Sequence, residues 1–534
     1  MIKFSTSVAL SFALFGLSQS FAADSGPVVP TFTEETKSSG IHSIYAGEWQ
    51  YMVGGGVATF DCNGDGFPDM FLAGGEKRAH FYRNTSKQGG ELHFVEQKSG
   101  LEFDHVTGAY PIDIDGDGIM DVVVLRVGEN IVMRGLGNCK FENANKVWNF
   151  DGGDAWSTSF TATFEKGANW PTLAIGNYID RKQEAFPWGT CTDNWLHRPV
   201  AGNKKFGAPI ALKPSFCSLS MLFTDWNRSG TPSLRVSNDR EYYKGGQEQM
   251  WHVEPGKEPT LYTDKEGWKF VRIWGMGIAS YDLNFDGYPE YFLSSMADSR
   301  LQSLTKVEPG IAPQADFSEG ALAKGVTAHR PYTGPDLKPS TGWHTQFEDV
   351  NNDGLVDLFI AKGNVDKMPD FAQKDPSNLL LQGADGKFVE AGDKAGIASF
   401  ATARGAAVVD FNLDGKLDLV VVNRRENAKI WRNTSPTLGH WIEVKLEEPT
   451  PNVDAIGAWI EIKRGDKTLR REMTLGGGHV SGSMGWHHFG LGDSAEAELR
   501  VVWPDGKAGE WQKIKADAFY VLKRDAAAVK WQPK

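Results

Sequence analysis

Five copies of one acidic motif constrain this chain more than any other feature. The copies begin at Asp61, Asp113, Asp282, Asp349 and Asp410, and each has the form D-x-(N/D)-x-D-G-x-x-(D/E) followed by an apolar stretch. Side-chain oxygens at positions 1, 3, 5 and 9 can surround a hard cation together with the backbone carbonyl of position 7. The glycine at position 6 permits the sharp turn that brings these oxygens together. The motif therefore predicts five calcium loops, because calcium prefers ligand sets made of oxygen.

The predicted ligands follow from these positions in each loop. They are Asp61, Asn63, Asp65, Phe67 and Asp69; Asp113, Asp115, Asp117, Ile119 and Asp121; Asp282, Asn284, Asp286, Tyr288 and Glu290; Asp349, Asn351, Asp353, Leu355 and Asp357; and Asp410, Asn412, Asp414, Lys416 and Asp418. An EF-hand needs a glutamate at position 12, where this chain has apolar residues such as Leu72 and Val124. The apolar residues predict a buried strand after each loop, so the loops join strands rather than helices. One cation per repeat indicates a structural rather than a catalytic ion.

The spacing of the motif predicts seven repeats. Starts at 113 and 282 leave a gap of 169 residues, in which degenerate copies begin at Thr163 and Asp225. A second signature, Phe followed by Gly and an aliphatic residue, recurs at Phe32, Phe94, Phe317 and Phe388. Short strands and glycine-rich turns at this period predict a seven-bladed β-propeller over residues 30–435. The segment at Phe32 is expected to close the ring as the outer strand of the last blade.

Residues 437–534 carry a different set of motifs. Segments such as 440–446 and 459–463 alternate or are apolar, which predicts a small C-terminal β-sandwich-like domain and an all-β chain. The tail motifs are Asn452-Val-Asp-Ala-Ile-Gly-Ala458, Gly476-Gly-Gly-His-Val-Ser481, His488-Phe-Gly-Leu-Gly492 and Val502-Trp-Pro-Asp-Gly506. With the acidic loops, they resemble the FG-GAP/VCBS-repeat propellers of integrin type that carry a C-terminal ASPIC/UnbV module, as in the bacterial relatives of cartilage acidic protein. The resemblance implies calcium binding and an extracytoplasmic location, and no activity shared across the family.

The N-terminus has the pattern of a secretory signal peptide. Lys3 precedes an apolar run over 8–17, and Ser20-Phe21-Ala22 forms a small-x-small cleavage site. We therefore expect residues 1–22 to be removed and the protein to be exported, to the periplasm or beyond. No later stretch approaches the roughly 18 apolar residues of a membrane span, so no transmembrane segment is expected.

The four cysteines and the net charge further limit the functions that the chain could have. Cysteines in an exported chain predict two disulfides, with Cys191 paired to Cys217 and Cys62 then left for Cys139. The net charge is −12, and no basic patch interleaved with aromatics occurs, which disfavours nucleic-acid binding. A monomer is expected.

The face opposite the acidic loops is the expected place for a ligand. A cationic residue follows the second predicted strand of each unit, in the series Arg78, Arg126, Arg181, Arg240, Arg300, Lys367 and Arg424-Arg425. A ring of these cations could hold a carboxylate, sulfate, phosphate or acidic sugar. The alternative, which carries more weight, is that each arginine pairs with a carboxylate of a neighbouring blade.

Candidate site residues follow from this placement, with the residues that enter the first strand of each unit. The ligand-binding candidates are Arg126, Arg240, Arg300, Trp274, Trp343, His344, Arg404 and Arg424. The candidates for catalysis are His344, Arg404, His329, Arg240 and Tyr242. A single histidine is more often structural than catalytic. The stretch 178–222, with Trp188, Trp195 and both Cys191 and Cys217, predicts a stapled cap over the channel mouth; a packing element is nearly as well supported.

Three functions remain open from the sequence. The chain lacks HExxH, GxSxG, P-loop and dinucleotide-binding motifs, which favours a non-catalytic exported propeller that binds an anionic small molecule, a glycan or a protein. The alternative is a metal-dependent or metal-stabilised enzyme of lyase, dehydratase or hydrolase type with its site at the channel mouth. A third possibility is an assembly factor for another exported protein.

Overall fold

The computed structural model describes residues 1–2, 26–182, 190–240 and 245–533. Most of the predicted signal peptide, together with Trp188 and Tyr242, lies outside these ranges. Within them, helix is confined to α1 (Ala321–Lys324) and to 3₁₀ turns at Trp49–Tyr51 and Asp264–Glu266. No helix in the described part of the chain has the length and apolar character needed to cross a bilayer.

The strands before residue 435 fall into seven consecutive groups of four antiparallel strands over the described ranges; the second and third groups are joined into one eight-stranded sheet, in which Val127 pairs with Trp156 and Gly128 with Ala155. The outer strand of the last unit is β1 (Phe32–Glu34). The first unit contains β2 (Val57–Phe60), β3 (Asp69–Leu72), β4 (His80–Asn84) and β5 (Phe94–Glu96). The second contains β6 (Val106–Ile112), β7 (Asp121–Gly128), β8 (Ile131–Gly135) and β9 (Phe141–Asn143). The third contains β10 (Ala155–Thr163), β11 (Thr172–Asn177), β12 (Asn194–His197) and β13 (Ile210–Leu212).

The remaining units repeat this order. The fourth contains β14 (Ser218–Thr224), β15 (Ser233–Asn238), β16 (Gln249–His252) and β17 (Thr260–Leu261). The fifth contains β18 (Gly275–Tyr281), β19 (Glu290–Ser295), β20 (Arg300–Leu304) and β21 (Phe317–Glu319). The sixth contains β22 (Gly342–Glu348), β23 (Asp357–Lys362), β24 (Asn378–Gln382) and β25 (Phe388–Glu390). The seventh contains β26 (Ala403–Val409), β27 (Asp418–Asn423) and β28 (Lys429–Asn433), with β1.

Each unit buries its sheet faces against its neighbours. One apolar cluster joins Tyr110 and Val123 of the second unit to Phe160 and Leu173 of the third. Because a single four-stranded sheet cannot bury both faces alone, this stacking supplies the core of a propeller. The all-β propeller class predicted from the repeats is therefore confirmed.

The ring closes through the N-terminal strand. β1 pairs antiparallel with β28, with Phe32 opposite Asn433, as the Phe32 signature predicted. Cys62 is bonded to Cys139 between the first two units, and Cys191 is bonded to Cys217. Both predicted pairings are confirmed.

The stretch 178–222 differs from the predicted cap. It supplies β12, which pairs with β11, and β13, which pairs with β12, as the outer strands of the third unit, and then begins β14. Trp195 lies in β12. The degenerate loop at Thr163 predicted the third unit, but its outer strands resembled an insertion in the sequence. The structure therefore favours the packing alternative for residues 194–212, while 183–189 lie outside the described ranges.

The C-terminal domain is built from two four-stranded sheets, and one further short strand from it pairs in parallel with β2 of the propeller. Its strands are β29 (His440–Glu447), β30 (Trp459–Arg464), β31 (Lys467–Glu472), β32 (Gly482–Ser483), β33 (His487–Gly492), β34 (Glu496–Val502), β35 (Gln512–Lys515), β36 (Ala518–Lys523) and β37 (Val529–Trp531). One sheet has the order β33-β29-β36-β37 and the other β31-β30-β34-β35. Ile442 and Phe489 of the first sheet and Ile460 and Leu499 of the second share one apolar core, as in a sandwich.

Candidate functional site

The five acidic loops lie on one face of the ring. Each connects the first and second strands of its unit, and the first strands of neighbouring units contact one another around the axis. Loops that leave the same end of these strands must lie together. We call this side the cation-loop face.

The loops share one hydrogen-bonding pattern. In each, the amide of the position-6 glycine donates to the carboxylate of position 1. The distances are 2.8 Å for Gly66 to Asp61, 2.7 Å for Gly118 to Asp113, 3.0 Å for Gly287 to Asp282, 2.7 Å for Gly354 to Asp349 and 2.6 Å for Gly415 to Asp410. The backbone therefore fixes the position-1 carboxylate, the first of the predicted ligands.

The position-9 carboxylates hold the end of each loop to its strands. Both oxygens of Asp69 accept backbone amides, from Cys62 at 3.0 Å and from Asn84 at 2.8 Å. Asp121, Asp357 and Asp418 accept two amides each in the same way. Burial is the main reason that the pKa of Asp69 rises to about 8. The position-9 carboxylates thus hold the loop ends by hydrogen bonds to backbone amides, in addition to their predicted role as ligands.

The remaining donors fit a hard divalent cation. Oxygens of Asp113, Asp115 and Asp117 lie within 4.8 Å of one another. Three buried loop oxygens have no hydrogen-bond partner, namely Oδ1 of Asp115, Asp282 and Asn412. An unpartnered buried oxygen is costly, and a cation would compensate for it. Cys62, Asp69 and Cys139 also lie together, but the disulfide removes both thiols as ligands.

The two degenerate loops are arranged differently. Glu165 accepts from Arg198 Nε at 2.6 Å, and the same guanidinium donates to the carbonyl of Glu254 at 2.9 Å. A side-chain cation therefore lies in the third loop. Asp225 keeps the position-1 pattern, since Gly230 N donates to its Oδ2 at 2.9 Å, but position 9 is Ser233.

The C-terminal domain packs on the cation-loop face. It touches all five acidic loops, through Trp486 Nε1 to Gly66 O at 3.1 Å, Thr450 Oγ1 to Gly116 O at 2.9 Å, Arg470 to Asp282 at 3.2 Å, Arg464 to Asp353 O at 3.1 Å, and Trp441 against Gly415. The predicted metal face is thus an interface between the two parts of the chain.

One segment of this domain, residues 475–484, fills the channel on the propeller axis. We call it the arm. It touches all seven first strands, through β32 beside β2, Ser481 beside Ala109, Leu475 beside Ala162, Gly477 N to Met221 O, Gly478 N to Ile278 O, His479 N to His344 Nδ1, and Ser481 beside Gly405. Gly56, just before β2, and Gly108 in β6 make room for it, because a Cβ on Gly56 or Gly108 would lie 1.8 or 2.1 Å from Val480 O. The channel is therefore occupied by the chain itself.

His479 lies in the middle of the arm. Gly54 N donates to its Nε2 at 3.2 Å, and its Nδ1 lies 3.3 Å from Leu219 O, so the ring is neutral with the proton on Nδ1. Burial lowers its pKa to about 3. The motif Gly476–Ser481 marked the arm in the sequence, but nothing in it indicated a position inside the ring.

Three predicted mouth residues lie inside the structure instead. His344 contacts the arm, and burial lowers its pKa to about 4. Trp343 is fully buried. Arg404 is also buried and donates to the carbonyls of Met52 at 2.8 Å and Asn364 at 3.0 Å. These side chains therefore support the closed channel, and the expectation that they line an open mouth is wrong.

Most of the predicted cation ring pairs internally. Arg181 contacts Asp154 at 3.0 Å, Arg300 lies 4.0 Å from Glu319, and Arg424 and Arg425 share Asp366. Asp366 belongs to the sixth unit and the two arginines to the seventh, so this pair links neighbouring blades, as the pairing alternative expected. Among the other candidates, His329 contacts Asp298 at 2.6 Å, and Trp274 packs against the core.

A cluster that the sequence predicted only in part lies on this same face, opposite the cation loops; Arg126 and Arg181 were predicted to lie there, whereas Tyr51 and Phe103 were not. The hydroxyl of Tyr51 is 2.5 Å from Nδ1 of His105, which is exposed and has a φ of 66°. Arg126 lies over the ring of Phe103 and donates to the carbonyls of Asp104 and Glu129, each at 3.1 Å. We call Tyr51, His105, Phe103 and Arg126, with Arg181, the opposite-face patch.

A second group of rings continues from this patch. Trp49 packs on Trp156 at 5.2 Å, and Trp156 packs on Tyr178 at 4.9 Å. Arg240 Nε donates to the Tyr178 hydroxyl at 2.8 Å, and that hydroxyl contacts Asp239. Tyr51 and Trp49 belong to a 3₁₀ turn with no sequence motif, so only the fold brings them to this face.

Two family models match the chain. One, described as FG-GAP-like repeat, matches residues 61–124 and 349–421, and one described as ASPIC and UnbV matches residues 448–529. The chain therefore carries FG-GAP-like repeats and a C-terminal ASPIC/UnbV module, which confirms the resemblance drawn from the motifs. No curated protein matches it.

Solved structures with similar coordinates are distant in sequence. A complex of BBS1N with ARL6DN is 10% identical with a TM-score of 0.44, covering 77% of this chain and 99% of that one. An Agrocybe aegerita lectin specific for terminal N-acetylglucosamine is 14% identical with a TM-score of 0.41, covering 72% and 92%. A calcium structure of a Trichoderma reesei AA12 enzyme is 9% identical with a TM-score of 0.35, covering 76% and 98%. Likenesses this distant say nothing about a ligand.

Proposed function

We propose that this FG-GAP-repeat and ASPIC/UnbV protein is an exported calcium-binding propeller whose ligand-binding surface is the face opposite its cation loops. One observation carries the proposal. The C-terminal domain covers the cation-loop face and its arm fills the channel, so the opposite face is the end of the ring that remains open to a partner.

Calcium is the proposed ion because the loop donors are oxygens. The unpartnered carboxylate oxygens of Asp115 and Asp282 would face an ion of 2+ charge, and the Asp–Gly hydrogen bonds already shape each loop. A bound ion would neutralise the loops and keep the strand ends in position. Its role is structural, and the chain's own residues provide the ligand surface.

The proposed ligand is an anionic small molecule or an acidic glycan. Arginine has five N–H donors in a planar fork that matches a carboxylate or sulfate. Arg126 gives two of its nitrogens to carbonyls, which fixes the side chain and leaves donors for a ligand. The neighbouring half-buried ring of Phe103 offers apolar surface beside this charge, as the lining of ligand pockets does.

Binding of sulfated and uronic-acid oligosaccharides would test this proposal. Isothermal titration should detect binding to the wild-type chain, with neutral oligosaccharides bound more weakly. Arg126→Ala should lower affinity roughly tenfold or more, because a charge-assisted hydrogen bond contributes about 1.5–3 kcal/mol. The matched control is Arg83→Ala, an exposed arginine on an outer strand of the first unit. Equal loss in both variants, or none in either, would refute the assignment.

A second function is favoured by the Tyr51–His105 contact. Burial raises the pKa of Tyr51 to about 12, so its hydroxyl stays protonated and donates to His105 Nδ1. The other ring nitrogen, Nε2, then carries a proton on an exposed ring. Such a pair could transfer a proton to an acidic substrate held by Arg126, in a lyase or dehydratase reaction. If so, His105→Gln should abolish turnover of a bound uronic-acid oligosaccharide while its affinity changes little; unchanged turnover would exclude this role.

A further inference from the structure

The contacts of the C-terminal domain fall on the atoms that a loop cation would position. Gly66 O, Gly116 O and Asp353 O are backbone carbonyls within three different loops, and each accepts a hydrogen bond from this domain. Asp282, a predicted ligand at position 1, pairs with Arg470 at 3.2 Å. Side chains of the domain thus bind the loops where their shape depends on the ligand arrangement.

Individual loop residues pack closely against the C-terminal domain. A Cβ on Gly66 would lie 2.2 Å from the Trp531 ring, and one on Gly415 would lie 1.8 Å from the Trp441 ring. On the other side of the interface, a Cβ on Gly490 would lie 1.9 Å from Asp349 Oδ2. Close packing of this kind is lost when one partner moves by even a fraction of an ångström.

A buried relay adds a polar contact to the same interface. His488 Nε2 lies 2.7 Å from Asn352 Oδ1, and Asn352 Nδ2 donates to Gly415 O at 3.0 Å. His488 Nδ1 lies 3.2 Å from Glu443. Two neighbouring cation loops and the C-terminal domain therefore share one chain of hydrogen bonds.

Docking of the C-terminal domain affects all seven propeller units, because the arm touches the first strand of each. It leaves the domain at residue 475, immediately after β31, and returns at β33. Gly477 N and Gly478 N donate to carbonyls of β14 and β18, both at 2.7 Å, only when the arm lies in the channel. A domain that lifts from the loops must withdraw the arm as well.

We infer that cation binding by the loops and insertion of the arm are one linked equilibrium. The inference rests on the proposed calcium sites. A cation that fixes the loops stabilises the docked domain and the filled channel, and removal of the cation releases both. Linkage is reciprocal, so weakening the domain's grip must lower cation affinity by the same factor.

Hydrogen exchange on the full chain tests the release directly. With calcium, amides in residues 474–486 should be protected; with EGTA, they should exchange at least tenfold faster, while β30 keeps its protection. Equal exchange with calcium and with EGTA would overturn the inference, and so would loss of protection everywhere, because that indicates global unfolding.

Two tryptophan variants test the reciprocal effect without changing charge. Trp441→Ala removes the side chain that packs on Gly415, and calcium titration should show at least a fivefold loss of affinity. Trp511→Ala is the matched control, because Trp511 stacks under Arg500 within the same domain. Unchanged protection of β30 would show that both variants remain folded.

The outcomes separate this inference from the proposed ion. No calcium binding by the wild-type chain refutes the calcium proposal. Calcium binding with equal affinity in wild type, Trp441→Ala and Trp511→Ala refutes the linkage alone.

Discussion

The filled channel makes the glycines that face the arm unusually sensitive to substitution. In Gly56→Ala, the new Cβ would lie 1.8 Å from the carbonyl oxygen of Val480 and 2.9 Å from the Cα of Gly108. Both neighbours are backbone atoms, so no side chain can rotate away. The arm must retreat by more than about 1 Å before ordinary contact is restored.

The expected loss in the free energy of unfolding follows from the contacts that the substitution would disturb. Overpacking a close-packed site costs about 1–3 kcal/mol. Retreat of the arm also stretches the bonds from Val57 N to Ser481 Oγ and from Gly54 N to His479 Nε2, each worth about 1 kcal/mol. We therefore expect the free energy of unfolding to fall by about 2–4 kcal/mol.

Urea unfolding followed by tryptophan fluorescence measures this loss. Gly207→Ala is the control, because its Cβ would meet nothing closer than 3.6 Å and its φ is not positive. Hydrogen exchange of residues 474–486 should also rise in Gly56→Ala and not in Gly207→Ala. If both variants are as stable as wild type, the arm does not occupy the channel as described.

Three further outcomes are expected. Burial raises the pKa of Glu248 from 4.5 to about 8, so its contribution to stability is fully present below pH 4.5 and is lost as pH rises towards 8. In urea unfolding, the free energy of unfolding of Glu248→Gln, compared with that of wild type, should therefore be higher at pH 8 than at pH 5. A difference between the two proteins that stays the same at both pH values would contradict this. Replacing Cys191 and Cys217 together by serine should lower the free energy of unfolding by about 3–4 kcal/mol, as expected for a cross-link spanning 26 residues, and no change in urea midpoint would count against it. In a calcium titration, Asp113→Ala should bind one calcium ion fewer per chain than wild type, whereas Asp225→Ala should bind as many as wild type. Equal stoichiometry in the two variants would contradict the view that the degenerate loop at Asp225 binds no calcium.

Local chemistry made much of the fold predictable. The glycine at position 6 and the carboxylates around it recur with fixed spacing, so Asp61 and its four equivalents identify strand connections without any knowledge of the rest. The Phe32 segment matches three later segments, which placed it in the last unit although it comes first in the chain. Cysteine pairing followed because Cys191 and Cys217 bracket the stretch predicted as an insertion, which left Cys62 to pair with Cys139 between neighbouring repeats.

The site was harder to predict because it depends on contacts between distant residues. Arg404 and His344 are polar and enter first strands, which suggested an open mouth. They are buried because the arm and the turn at Trp49–Tyr51 cover them. Apart from Leu475, His479, Val480 and Met484, the arm contains only glycine and serine, and sequence patterns cannot show which channel such a segment enters. His105 meets Tyr51 across 54 residues, so their contact has no local signature.

Elemental analysis of the protein purified from its native compartment without chelator tests the central claim most directly. The account predicts about five calcium ions per chain, one for each acidic loop, and no stoichiometric transition metal. Absence of calcium, or a stoichiometric copper, iron or zinc in its place, would contradict it.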